Sequence, residues 1–378
     1  MSRDSKGRQL HNRRDFLKIA GASALSAGLA PGTTALGSDP IRSTVGIAKN
    51  TSIAKAVGQA VALSGGMDFI RPGQRVLIKP NQVAGVQHPA TTNPEVLYEV
   101  AKLAAEAGSE TIFISDRCFG AEAPASAMKR SGHLEAAQQA QSDIGGGVKV
   151  ISVGLDEAEE YMPNGAPKWR EIHHPLAKHY FDGDKDIGFR LAEFLFHVDH
   201  VINVPCCKVH NQAWLTMSMK AFVGMSDPRE TRRYFHSKMG RGSEPPENRK
   251  NLVGGVFFKT LQDTKHVSRS IAQLNLGFTP SLNIIDGTRP IYQGSHITGD
   301  SVKADTIIAS RDRVAVDVAG VALLRAVGNE ERWKNVSPWE HPMITHAGEL
   351  GLGVTGREYL TVKHQGVDDI ETLLAKMA

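Results

Sequence analysis

Three stretches, "QRVLIKPN" (residues 74–81), "NPEVLYEVAKLAAEAG" (93–108) and "SETIFISD" (109–116), decide the fold. The outer two read as strands that end in polar residues. The middle one puts Asn93 at an N-cap, Pro94 at the first helical position and Gly108 at the stop, which marks a helix at both ends. Strand, helix, strand at this spacing calls for a right-handed crossover and so for a largely parallel sheet.

Working outward, "STVGIAK" (43–49) reads as a preceding strand and "TSIAKAVGQAVALSGG" (51–66) as a helix, since its apolar residues recur at spacings of three and four. Downstream, residues 154–190 are rich in His, Pro, Gly and charge without a sustained period, and read as an irregular insertion or small subdomain. The sheet resumes at "DHVINVPCC" (199–207), and "TMSMKAFVGM" (216–225) reads as helical. Residues 226–250 look like a long polar loop. "PSLNIIDG" (280–287) and "ADTIIASRD" (304–312) are two more buried strands by length and β-branching, with "DRVAVDVAGVALLRAVG" (312–328) an amphipathic helix behind them. The expectation is an α/β protein, a largely parallel sheet flanked by helices, occupying residues 38–378. At 378 residues and 41% hydrophobic content the chain can bury a large core.

Residues 1–37 differ from the rest. They hold six Lys/Arg against two Asp, so the remaining chain, with 38 basic and 38 acidic groups, is neutral. That leaves no clustered basic footprint for nucleic acid outside the N-terminus. The pair Arg13-Arg14, followed by Phe16-Leu17-Lys18 and a mildly apolar Ala/Gly stretch, reads as a twin-arginine (Tat) signal peptide cleaved near Ala35-Leu36-Gly37. Its reader would be the Tat export machinery, its destination the periplasm or another exported location. No segment reaches the roughly 18 apolar residues of a transmembrane span. Three cysteines cannot all pair, and a bridge between the adjacent Cys206 and Cys207 would be strained, so disulfides do not hold this chain together.

In open parallel sheets ligands gather outside the carboxyl ends of the strands. Lys79 and Asn81, Asp116 and Arg117, Lys208 and His210, and Asp286 and Arg289 each follow an apolar run. Singly, each is explained by a satisfied loop side chain or a helix cap, Asp116 for instance by capping the next helix. Together the lysines set up a positive rim suited to an acidic small molecule. The two cysteines of "VINVPCCKVHNQ" (201–212) cannot easily aim at one ion from a strand, whose successive side chains face opposite ways. They read as core or pocket lining. A cluster of Cys118, Cys206, Cys207 and His210 stands as the metal-binding alternative.

In order, "VLIKPNQV", "TTNPEVLYEVAKLAAEAGSETIFISD", "VINVPCCKVHNQAWLTMSMKAFVGM", "SLNIIDGTRPIYQGS" and "DTIIASRDRVAVDVAGVALL" resemble the DUF362 family, in its subgroup with a twin-arginine leader, over about residues 45 to 355. Many such proteins carry ferredoxin-type cysteine motifs for iron–sulfur clusters; this chain has none. By position, the resemblance implies functional residues at Lys79 and Asn81, Lys208 and His210, Lys220, and Asp286 with Gly287. Ala221 stands where the family usually has asparagine, and Gly294-Ser295 where it has Gly-Pro.

Three functions follow. The first, favoured by the density of titratable groups at strand ends, is an exported enzyme acting on an anionic small molecule. His210 would be its general acid or base and Lys208 and Asp116 its catalytic partners, while Lys79, Asn81, Lys220, Asp286 and Arg289 bind the ligand. Asp116 or Asp286 would orient the histidine or hold a metal ion. The second is a redox protein, or the partner of an iron–sulfur protein. The third is a non-catalytic periplasmic ligand-binding protein.

Overall fold

The apolar runs pair into a sheet whose side chains alternate between two buried layers. In this computed structural model residues 40–378 are described, except 84, 119–122, 179–185, 229–260 and 330. The expected leader, and all but the first three residues of the expected 226–250 loop, lie outside the described residues.

The first half runs β1 (Ser43–Lys49), α1 (Ile53–Leu63), β2 (Gln74–Pro80), α2 (Pro94–Glu106), β3 (Ser109–Asp116), α3 (Pro124–Ser131), α4 (His133–Ile144) and β4 (Lys149–Gly154). Local chemistry sets these bounds. Asn93 caps α2 by accepting from the Glu95 amide at 3.0 Å, and Pro94 opens the helix. Gly108, at φ 109°, supplies the left-handed turn that drops the chain into β3.

The second half runs β5 (Trp169–Lys178), β6 (Asp186–Ala192), β7 (His200–Val204), β8 (Cys206–His210), β9 (Trp214–Thr216), α5 (Ser218–Ala221) and α6 (Leu261–Leu274). It continues with β10 (Leu282–Gln293), β11 (Asp300–Ser301), β12 (Thr306–Ser310), α7 (Arg313–Val327), α8 (Pro342–Glu349), β13 (Leu360–Gln365) and α9 (Ile370–Ala375). The spatial order is β13-β1-β12-β10-β7-β2-β3-β4, and every neighbouring pair is parallel except the two made by β12.

Alternation sorts the core. Val76, Ile78, Ile112, Ile114, Ile202 and Ile284 pack with the inner faces of α1, α2 and α4. Their sequence neighbours Leu77, Phe113, Val201 and Ile285 pack the other way, with β6, α5, α6 and α7.

Two expectations are corrected and a third gains detail. The 154–190 stretch contains order, because β5 and β6 form an antiparallel pair with Ile172 opposite Phe189. Its charged residues hid the strand period. Residues 216–225 are not one helix but the end of β9, the single turn α5 and a 3₁₀ turn (Phe222–Met225). Helix α7 is buried on all sides from Arg313 to Leu324 rather than amphipathic, since α8 and α9 also pack on it.

Candidate functional site

The carboxyl ends of β2 and β3 lie side by side, with Ile78 opposite Ile114 as the last registered pair. Just beyond it, Lys79 and Asp116 meet. The Lys79 Nζ donates to Asp116 Oδ2 at 2.8 Å and to the Pro80 carbonyl at 2.8 Å, with Lys79 wholly buried. Asp116 also accepts from the amides of Gln82 at 3.0 Å and Cys118 at 3.3 Å. Helix α3 starts later, without any side-chain cap, so Asp116 does not cap it. The 3₁₀ turn after α5 rests on this ion pair at Gly224. A Cβ there would stand 2.9 Å from Asp116 Oδ1 and 3.0 Å from Lys79 Nζ, closer than real side chains sit.

Beside the pair opens a small cleft, lined among others by Asn81, Asp116, Lys208, His210, Lys220 and His296. Lys208 arrives from β8, which follows Pro205, a residue with no N–H for the ladder, and stays in the sheet by pairing with β10, Cys206 opposite Asp286 and Lys208 opposite Ile291. Its Nζ donates to the Ala90 carbonyl. Lys220 comes from α5, whose start is tied down from inside: buried Asp317 accepts the Ser218 amide at 2.7 Å and the Met219 amide at 3.1 Å. Lys208 is fully buried and Lys220 is 8% exposed. Among the described residues neither has a carboxylate partner. Burial lowers the Lys208 ammonium below its ordinary range. Burial, then the charges of Lys208, Lys79 and Arg117, bring Lys220 down to about 7.

His210 is held in one role. Its Nδ1 accepts the amides of Gln212 and Ala213, both at 3.1 Å, which closes the β8–β9 turn. With that lone pair engaged, the neutral ring carries its proton on Nε2. His296 stacks on it with centroids 4.5 Å apart and 29° between planes. Burial, followed by the charges of Lys208 and Lys220, pushes His296 down to about 3, so the upper ring of the stack stays neutral. Two lining atoms, Asn81 Oδ1 and Thr216 Oγ1, are buried without a hydrogen-bond partner among the described residues.

The geometry therefore brings together Asn81, Asp116, Lys208, His210 and Lys220, with Lys79 behind Asp116. It does not bring in Arg289 or Asp286. Strand β10 continues past Asp286 to Gln293, so Arg289 is exposed along the strand and donates to Ser301 Oγ at 3.5 Å. Asp286 is absorbed in structure. It accepts from the Asn93 amide at 2.8 Å and from the Thr288 amide and hydroxyl at 3.0 and 2.6 Å.

The metal alternative is also corrected. Among the described residues no three His, Cys, Asp or Glu side chains gather to hold an ion. Cys206 Sγ faces Thr92 Oγ1 at 3.9 Å while Cys207 Sγ meets the Gly320 carbonyl at 3.5 Å, because neighbours on a strand point opposite ways. Cys118 Sγ lies 3.8 Å from the carbonyls of Asp116 and Pro124. Burial raises all three thiols, Cys206 to about 12, away from the thiolate a ligand must be.

Sequence reasoning missed Gln82, Thr216, Gly224 and His296. Thr216 had a signal, being the polar residue directly across the β8–β9 hairpin from Lys208. His296 had none.

The family model described as "Domain of unknown function (DUF362)" matches residues 76–322. The chain belongs to the DUF362 family. The DUF362 span runs from β2 into α7 and contains every residue that lines the cleft. A thylakoid-associated protein of Synechocystis sp. is 25% identical over 302 residues, covering 78% of this chain and 74% of that protein. Among solved structures, the lactate racemase apoprotein from Thermoanaerobacterium thermosaccharolyticum aligns with a TM-score of 0.39 at 13% identity. That alignment covers 77% of this DUF362 chain and 58% of the racemase.

Proposed function

We propose that this DUF362 chain binds an anionic small molecule in the strand-end cleft and acts on it, with Lys208 and Lys220 holding the anion. The observation that carries the reading is that two buried lysines face one cleft and that among the described residues no carboxylate pairs with either. Taking an ammonium out of water is costly unless it is paired. A carboxylate or phosphate on the ligand supplies that pairing, and charge-assisted hydrogen bonds to it are the strong kind.

The roles within the site shift accordingly. His210 spends Nδ1 on backbone amides and is no general base there. Lys220, brought near neutrality, is the group suited to take up and return a proton at physiological pH. Asp116 is neutralised by Lys79 and serves as the floor of the cleft. Export by the twin-arginine route, resting on Arg13 and Arg14, is part of the same proposal.

The test is calorimetric titration of the purified chain with sulfate, phosphate and small carboxylates. Saturable binding is expected, tighter at pH 6 than at pH 8 because protonation of Lys220 accompanies it. Lys208→Met and Lys220→Met should each weaken it by roughly 10- to 100-fold, the loss of one hydrogen bond to a charged group. Binding that is absent, or indifferent to both substitutions, overturns the reading. Chemical change of a bound metabolite on incubation separates an enzyme from a binding protein.

A further inference from the structure

The anion reading leaves the cleft's other features unused. Lys220 sits on a single helical turn whose first two amides are locked by Asp317. The turn is clamped a second time by Asn275, whose Nδ2 donates to the Met219 carbonyl at 3.1 Å. A lysine meant only as a charge needs no such fixing. Its surroundings are three cations, Lys208, Lys79 and Arg117, and it has no hydrogen-bond acceptor among the described residues. Thr216 Oγ1 and Asn81 Oδ1, a donor-acceptor hydroxyl and a pure acceptor, are buried on the same cleft without partners. Buried polar atoms of this kind are ordinarily satisfied, which suits a ligand that brings polar atoms besides its anionic group.

Resting on the reading above, we infer that Lys220 is a nucleophile toward a small carbonyl acid, an aldehyde or ketone bearing a carboxylate or phosphate, and forms an imine with it. The neutral amine attacks the carbonyl carbon, a C–N bond forms, and the C=O π pair moves to oxygen. A proton passes from the new ammonium centre to that oxygen, giving a carbinolamine. The hydroxyl then takes a proton from solvent and the nitrogen lone pair expels it as water, leaving the protonated imine; return of that proton to solvent gives the imine, so that amine and carbonyl become imine and water with no oxidant or reductant. Thr216 and Asn81 suit the carbinolamine stage, whose hydroxyl both accepts and donates. Lys208 holds the acid group, and the protonated imine is an electron sink for cleavage of a neighbouring C–H or C–C bond. Burial and the three cations keep Lys220 near pKa 7, so a large fraction is free amine where an exposed lysine is almost wholly ammonium.

The experiment is reductive trapping of the purified full chain at pH 7 with glyoxylate and cyanoborohydride, with peptide mapping by mass spectrometry. Carboxymethylation is expected at Lys220 at least tenfold faster than at the exposed Lys55 and Lys149, slowed by sulfate and absent from Lys220→Arg. The rate comparison lies within the unmodified chain, so it does not depend on any variant folding. Labelling of Lys220 no faster than of the exposed lysines, while sulfate still binds saturably, overturns the imine and leaves the anion site standing. Neither labelling nor sulfate binding overturns both.

Discussion

Replacing Lys220 with methionine should make the fold more stable, by an amount that depends on pH in a known direction. A lysine whose pKa falls from 10.5 unfolded to about 7 folded binds fewer protons in the native state throughout that window. Stability therefore rises with pH from 7 toward 10.5, and the deficit is complete below 7. The full deficit is on the order of 5 kcal/mol at 1.36 kcal/mol per pH unit. Between pH 7 and pH 9 about 2 kcal/mol of it is relieved. Methionine keeps the length of the stem and cannot be protonated. In urea denaturation at fixed ionic strength, the advantage of Lys220→Met over the parent should shrink by about 2 kcal/mol from pH 7 to pH 9. Taking the difference between variant and parent cancels titrations they share, including that of Asp317, which burial raises to about 8. An advantage that is flat with pH, or grows with it, would refute the claim that Lys220 is desolvated among cations. Saturating sulfate at pH 7 should shrink the variant's advantage by about 1.4–2.7 kcal/mol, because it binds the parent roughly 10- to 100-fold more tightly.

Three further outcomes are expected. Gly224→Ala forces a Cβ to within 3.0 Å of both Asp116 Oδ1 and Lys79 Nζ; a loss of about 1–3 kcal/mol together with weakened sulfate binding should appear, and an unperturbed variant would show that the turn does not rest on the ion pair. Cys206→Ala and Cys207→Ala, made singly, should each cost roughly 1–2 kcal/mol and leave anion affinity unchanged, as read by calorimetry; loss of a metal or of binding in either would reinstate the thiols as functional. Replacing Arg13 and Arg14 together with Lys should hold the protein in the cytoplasm, since a lysine pair does not reproduce the guanidinium fork; cell fractionation that finds undiminished export rules out the twin-arginine leader.

Much of the frame was legible because its causes are local. Asn93 with Pro94 and the following Gly108 start and stop α2 through caps and a left-handed turn, interactions that span a few residues. The strands β1, β2 and β3 are apolar runs whose bounds match the sequence reading because burial on both sides of a parallel sheet demands an unbroken apolar run. Lys208 was also visible, since it follows an apolar run, whereas Lys220 entered only through the family resemblance. What sequence could not display was direction and partnership. The run at β12 reads the same whether it lies parallel or antiparallel, and only its pairing with β1 and β10 reverses it. Likewise β10 has no local mark that it continues beyond Asp286, which is why Arg289 was expected in the cleft and stands outside it.

The residue types at the site were thus the sequence's own contribution: lysines, a histidine and an aspartate at strand ends, with two cysteines that a strand must send apart. Their chemistry was decided by tertiary structure. His210 loses its Nδ1 as a base only because the β8–β9 turn brings two amides onto it, and His296 reaches it from a distant turn. Lys220 becomes an amine near neutrality only because folding strips its water and sets Lys208, Lys79 and Arg117 around it. Desolvation and Coulomb forces act through space, between groups far apart along the chain, so no stretch of sequence could carry them.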